Sequence, residues 1–278
     1  VEAQASNEEF WRALLTGEDP WFTKHRRRYK RIPGQPRCKT CLFPLGGPAA
    51  RVLSLVLGTG PSRKNPRFCN LCERFAERHR GGVEIELSFL FADVRGSTTI
   101  AEGMETGEFS RLMNRFYDAS NRVLIDSDAL IDKLVGDEVI GLYLPVIGPE
   151  HPRKAILAAR DLLLATGHGE AKAPWLPVGA GVHTGMAYVG AVGSPDTVTD
   201  FTALGDAVNV AARLSAAAAA GEVLISEAAY AASGLDLGEL ERRRLELKGR
   251  AVPVGVRVLR VAAESQPDAA PEKAGAAS

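Results

Sequence analysis

The chain has 278 residues, 45% apolar and 24% charged, with 34 basic residues balanced by 34 acidic ones. At roughly 150 residues per domain this suits one large domain plus a smaller module, and the neutral balance gives no support for a polyanionic partner. No apolar run approaches the ~18 residues of a membrane span: "ARVLSLVLG" (50–58) is too short, and Arg213 interrupts the alanine-rich run 207–220. With no charged-then-apolar leader after Val1, the expectation is a soluble, cytoplasmic protein.

Three textures divide the chain. Residues 1–80 are rich in aromatics, Arg and Cys and show little helical or strand period over long windows. Here "KHRRRYKR" (24–31), with Tyr29, reads as a solvated basic face, because the neutral total does not favour nucleic acid. Residues 83–261 alternate apolar strands with amphipathic helices. Residues 262–278, "AAESQPDAAPEKAGAAS", cannot bury a core and are expected to be disordered.

All four cysteines lie in the first region, as "CKTC" (Cys38, Cys41) and "CNLC" (Cys69, Cys72), with 27 residues between the pairs. Two such knuckles in a reducing compartment suit a tetrahedral zinc site of four thiolates that holds together a segment too small to fold on its core. An iron–sulfur cluster also takes four Cys, and a pair of redox disulfides is the third reading. Between the knuckles, "ARVLSLVLG" is expected to pack the small module. After Cys72, "ERFAERHRGG" (73–82) reads as a short helix connecting the module to the first strand of the middle region.

The middle region opens with that strand, over about 83–92. A helix comes next whose Phe109, Leu112, Met113, Phe116, Val123 and Leu124 recur at three- and four-residue spacing. "ALIDKLVGDEVIGLYLP" (129–145) reads as two strands joined at Val135-Gly136-Asp137. A helix over about 152–166 starts at Pro152, and "PVGAGVHTGMAYVGAVG" (177–193) reads as a second hairpin with Gly at its bend. A helix over 206–218, a strand 222–226, a short helix and two last strands complete a mixed α+β sheet, with helices expected on one face.

Within "LSFLFADVRGSTT" (87–99), Asp93 follows a buried strand, where an isolated ionised carboxylate costs several kcal/mol. Asp137 stands at the turn of the neighbouring hairpin. If those strands pair, the carboxylates converge beside a Gly-Ser-Thr turn, a setting that suits Mg²⁺ or Mn²⁺, with the carbonyl of Val94 as a further oxygen ligand. The competing reading is structural: Asp93 paired to Arg95, Asp137 to Lys133, and Ser97 capping a helix. Spacing leaves both open.

"FADVRGST", "KLVGD", "GVHTG…VG" and "FTALGDAVNVAARL", in this order, resemble the catalytic domain of class III nucleotidyl cyclases over about 83–261. The resemblance implies a ferredoxin-like fold, which in this chain follows the small N-terminal module (1–80) with its four-cysteine metal-binding pattern, and two copies paired head to tail. It implies two divalent cations on Asp93 and Asp137, one activating the ribose 3′-hydroxyl and one holding the β- and γ-phosphates. Asn209, orienting the ribose, and Arg213, stabilising charge on the α-phosphate, stand four apart and so share a helix face. Lys248 in "LELKGR" would contact the polyphosphate. Lys133 occupies the position that meets adenine N1, where guanylate cyclases carry Glu. Thr202 replaces the commoner Asp as the acceptor for the adenine amino group and can donate as well as accept. The resemblance therefore implies a homodimeric adenylate cyclase acting on ATP. A guanylate or relaxed purine cyclase and a catalytically silent binding module are the alternatives.

Overall fold

The computed structural model describes residues 2–19, 24–25, 28–29, 31–38, 41–63, 66–78, 81–170, 172–193, 199–247 and 252–261, with side chains at all of these except 2–6, 76–78, 133–135, 193 and 199–200. Lys248 and the 262–278 tail lie outside the described residues. The elements in chain order begin with α1 (Glu2–Thr16), α2 (Pro48–Leu57), α3 (Asn70–Arg78), β1 (Gly81–Val94), α4 (Ser97–Glu102) and α5 (Thr106–Asp126). They continue with β2 (Leu130–Val135), β3 (Glu138–Tyr143), a 3-10 turn (Pro145–Ile147), α6 (His151–Ala165), β4 (Val178–Gly193) and β5 (Thr199–Leu204). The last are α7 (Asp206–Ala217), β6 (Glu222–Ser226), α8 (Glu227–Ser233), β7 (Glu241–Leu245) and β8 (Val254–Arg260).

The strands form one sheet in the order β2-β3-β1-β4-β6-β8-β7, with β5 also pairing β4. Its first half, β1-α5-β2-β3-α6-β4, is the split βαβ arrangement of a ferredoxin-like fold. β1 is long because it is buried on both sides. Leu90, Ala92 and Val94 pack under α5, α6 and α8, while Val83, Ile85, Leu87, Phe89 and Phe91 pack on the opposite face. Burying each of the larger side chains contributes roughly 2 kcal/mol, and that holds the strand in place up to Asp93.

Two expectations from the sequence are corrected here. No hairpin bends within 177–193: β4 runs antiparallel to β1 along its length, from Val94↔Val178 to Gly81↔Ala191. Its glycines serve close approach instead of a turn. A Cβ at Gly181 would lie 2.3 Å from Ser215 N of α7, and one at Gly190 would lie 2.2 Å from the Gly81 carbonyl oxygen. The end of β4 pairs instead with β5, in the register Gly190↔Thr202. Nor do the helices keep to one face. Ala207 and Ala211 of α7 and Trp11 and Leu15 of α1 cover the second face, and Val210 and Leu214 carry α7 onto β6 and β8.

The first 80 residues are more ordered than their weak period suggests. In α1, Trp11 and Leu15 are one turn apart and buried, and Trp11 stacks on Phe201 of β5 at 6.1 Å. The expectation that "ARVLSLVLG" packs the module holds only for Ala50 and, in part, Leu53. Val52, Leu55 and Val56 of α2 are exposed, Leu55 at 88%. One turn of α2 suffices to anchor it, so its other apolar face stays uncovered in the single chain. Among the described residues, the cysteine region meets the sheet domain through α3, which packs on β4 and β5, and through two further sets of contacts. Its buried Phe43 and Phe68 pack with Val146 and Ile147 of the 3-10 turn, and Arg67 pairs with Asp126 at 2.7 Å and Asp128 at 3.2 Å.

Candidate active site

The end of β1 and the β2–β3 turn are tied together by backbone. Asp93 lies opposite Glu138 in the β1–β3 ladder, and the next amide, Val94 N–H, donates to the Asp137 carbonyl at 3.1 Å. Gly136 takes φ +64°, a left-handed position that lets the two-residue turn close. Ser97, first residue of α4, donates its hydroxyl to the Asp137 carboxylate. Its expected capping role is thus not seen, and the N-cap of α4 is Gly96.

Asp93 feels the charge of Asp137. Burial pushes the Asp93 carboxyl above its ordinary range, the Arg95 guanidinium pulls it back, and Asp137 pushes it up again. Glu138 is likewise raised by burial, then by Asp93 and Asp137. Tyr117, whose hydroxyl donates to the Gly136 carbonyl, is raised by burial and by Asp137. Arg95 is the one cation found against Asp93 among the described residues, so that half of the structural reading is present. Arg95 also donates to the Ala216 carbonyl at 3.0 Å, at the last turn of α7. Among the described residues, Asp93, Asp137 and Glu138 gather their carboxylates beside Arg95, an oxygen-rich set that fits a divalent cation.

α7 carries Asn209, which is exposed, and Arg213, which is partly buried. Its opposite side holds Ala207, Val210, Ala211 and Leu214 in the core. Lys133 is placed by its backbone alone, in β2 opposite Ile140. Thr202 is buried and donates its hydroxyl to the Asp132 carboxylate at 3.1 Å. Asp132, Glu138 and Tyr117 lie beside these candidate residues, and the sequence reading did not single them out. Asp132 and Thr202 are 70 residues apart, so no local pattern joins them.

The four cysteine sulfurs lie within 4.8 Å of one another, and Cys38, Cys41 and Cys69 are buried. None is in a disulfide. Cys38 Sγ accepts the Cys69 amide at 3.3 Å, and Cys69 Sγ accepts the Cys72 amide at 3.4 Å. The first knuckle is a tight turn, with Leu42 at φ +62° and its amide 2.9 Å from the Cys38 carbonyl. Hydrogen bonds from Cys41, Cys69 and Cys72 hold Cys38 far below the ordinary thiol range, whereas Cys38 pushes Cys41 and Cys72 far above it. Four thiolates cannot coexist at this spacing without a cation, so the donor set fits a bound metal.

Residues 84–258 match the family model described as the adenylate and guanylate cyclase catalytic domain. The chain belongs to this cyclase family. It is 32% identical over 133 residues to an adenylate cyclase of Anabaena cylindrica, covering 46% of this chain and 26% of the relative. It is 34% identical over 136 residues to adenylate cyclase 1 of Rhizobium meliloti, covering 46% and 20%. It thus spans about a quarter of these relatives' length. Among solved structures, the guanylyl cyclase Cya2 superposes with a TM-score of 0.59 at 26% identity, covering 68% of this chain and 98% of that one. The adenylyl cyclase CyaB of P. aeruginosa gives 0.54 at 26% identity, covering 66% and 97%. The mixed α+β sheet is therefore that of a cyclase catalytic domain. Among the described residues, no helix is long and apolar enough to cross a membrane.

Proposed function

We propose that this cyclase converts ATP to 3′,5′-cyclic AMP and pyrophosphate at a site shared by two copies of the chain. The observation that carries this reading is the meeting of Asp93 and Asp137 at one end of the sheet, with α7 tied to the same point through Arg95. In the reaction the ribose 3′-oxygen attacks the α-phosphorus, the bond to the bridging oxygen of pyrophosphate breaks, and the hydroxyl proton passes to solvent. Asp93, Asp137 and the Val94 carbonyl would hold the divalent cations, which when bound would supply positive charge to the attacking 3′-oxygen and the leaving phosphates. Arg213, always charged and planar, meets the charge that grows on the α-phosphate. Asn209 orients the ribose, Lys248 contacts the polyphosphate, Lys133 donates to adenine N1, and Thr202 accepts from the adenine amino group.

The length of α7 argues for a shared site. Asn209 precedes Ala216, which Arg95 contacts, by seven residues, about 10 Å along a helix axis at 1.5 Å per residue, a separation that suits a site completed by a second copy. The exposed Met186, Tyr188 and Leu204 near the start of α7 offer an apolar patch for a second copy to cover. The cysteine cluster is read as a structural zinc site, with iron–sulfur as the rival, and the whole as a cytoplasmic enzyme.

The test is to incubate purified protein with Mg²⁺ or Mn²⁺ and either ATP or GTP, and to identify the cyclic product. Cyclic AMP in clear excess is expected. The likeness to Cya2 favours a guanylate reading, which excess cyclic GMP would establish. No cyclic product from either nucleotide would leave a silent binding module.

A further inference from the structure

We infer that Asp132 sets the base preference of the site by fixing the proton of Thr202. This rests on the adenylate reading above and extends it to a residue that does not itself touch the base. A threonine hydroxyl has one proton and two lone pairs, so on its own it meets an amino group or a carbonyl oxygen equally well. Adenine presents an amino group at its sixth position, and guanine presents a carbonyl oxygen there. A free threonine is therefore a poor discriminator between them.

Here the hydroxyl is not free. Thr202 Oγ1 donates to Asp132 Oδ2 at 3.1 Å, and an ionised carboxylate can only accept. With its proton committed, Thr202 offers lone pairs alone. It accepts from the adenine amino group and opposes the guanine oxygen, as an aspartate in its place would. Thr202 is only 9% exposed, so packing limits its rotation away from Asp132.

The backbone supports a dedicated placement of Asp132. The β2–β3 register passes from Ile131↔Gly141 directly to Lys133↔Ile140, which leaves Asp132 as the extra residue of a β-bulge. Bulges re-aim side chains beside active sites, and this one sits immediately before Lys133. Asp132 is a positioning residue, acting through Thr202.

The experiment compares kcat/KM for ATP and GTP in the full chain and in the variants Asp132→Asn, Thr202→Val and the double variant. An Asn amide can turn to donate to Thr202, which frees the hydroxyl proton for the guanine oxygen. Asp132→Asn is expected to lower the ATP:GTP ratio about tenfold, chiefly through better use of GTP. In the Thr202→Val background the same change should have no further effect on the ratio, because the relay is already gone. An unchanged ratio in Asp132→Asn, or an equal fall in both backgrounds, overturns the inference and leaves the adenylate reading standing. Wild-type protein that prefers GTP overturns that reading first. If Asp132→Asn does not fold, Asp132→Glu keeps an accept-only carboxylate and should keep the ratio, and a tenfold fall there would contradict the relay.

Discussion

Replacing Asp93 or Asp137 with Asn is expected to abolish cyclic nucleotide formation, by about a thousandfold or more, while the protein stays folded. The reason lies in the electrostatics of the sheet end. Asp93 is raised by burial and by Asp137, so its ionised form is a burden on the metal-free fold that Arg95 only partly relieves. A carboxyl whose folded-state value is raised favours the folded state when protonated and loses that contribution as pH rises through the folded value. Removing one of the two charges should therefore leave the thermal midpoint in chelator unchanged or slightly higher. Added Mn²⁺ should raise the wild-type midpoint, as any ligand specific to the folded state does, and should raise those of Asp93→Asn and Asp137→Asn much less. Near-wild-type turnover in either variant would remove the metal assignment.

Removing metal from the cysteine cluster, or changing Cys38 and Cys69 to Ser, should unfold the segment from 38 to 72. That segment's buried core is Cys38, Cys41, Phe43, Phe68 and Cys69, too few apolar groups to offset the ordering of some thirty residues without a cross-link. The sheet domain has its own core on both faces of β1 and should survive. Hydrogen exchange would show protection lost across the knuckles and α2 but retained in β1 and β4. Any change in activity would report coupling through Arg67 and the 3-10 turn, or through α1 where Trp11 stacks on Phe201. A colourless protein containing zinc, or a brown one containing iron and sulfide, separates the two metal readings. Protein prepared without oxygen that holds neither, yet keeps its knuckles protected, would contradict both.

The features legible in the sequence are local ones. The run 87–92 ending at Asp93, the Gly136-Asp137 turn and the helix carrying Asn209 and Arg213 each announce themselves within a dozen residues, and each is found where expected. The hairpin expected in 177–193 fails because a glycine permits either a bend or the close approach of another backbone, and only the tertiary fold decides between them. Gly181 and Gly190 serve the second use, against α7 and β1. The covering of the second face is hidden because it depends on α1, far away in sequence. Its Phe10, Trp11, Leu14 and Leu15 do fall at helical spacing, but over too short a stretch to outweigh the irregular texture around it. The Asp132–Thr202 bond joins β2 to β5 and arises from a bulge, which no periodic pattern encodes.

The central claim is a cyclase site assembled from two copies of one chain, and mixing complementary variants tests it most directly. Asp93→Asn protein retains Arg213, and Arg213→Ala protein retains Asp93. Each should be inactive alone. After exchange of subunits, each mixed dimer carries one interface with both residues intact and one with both lost. Random exchange makes half the dimers mixed, so cyclic AMP production should return to about a quarter of the wild-type level. Proven subunit exchange with no return of activity would contradict the shared site.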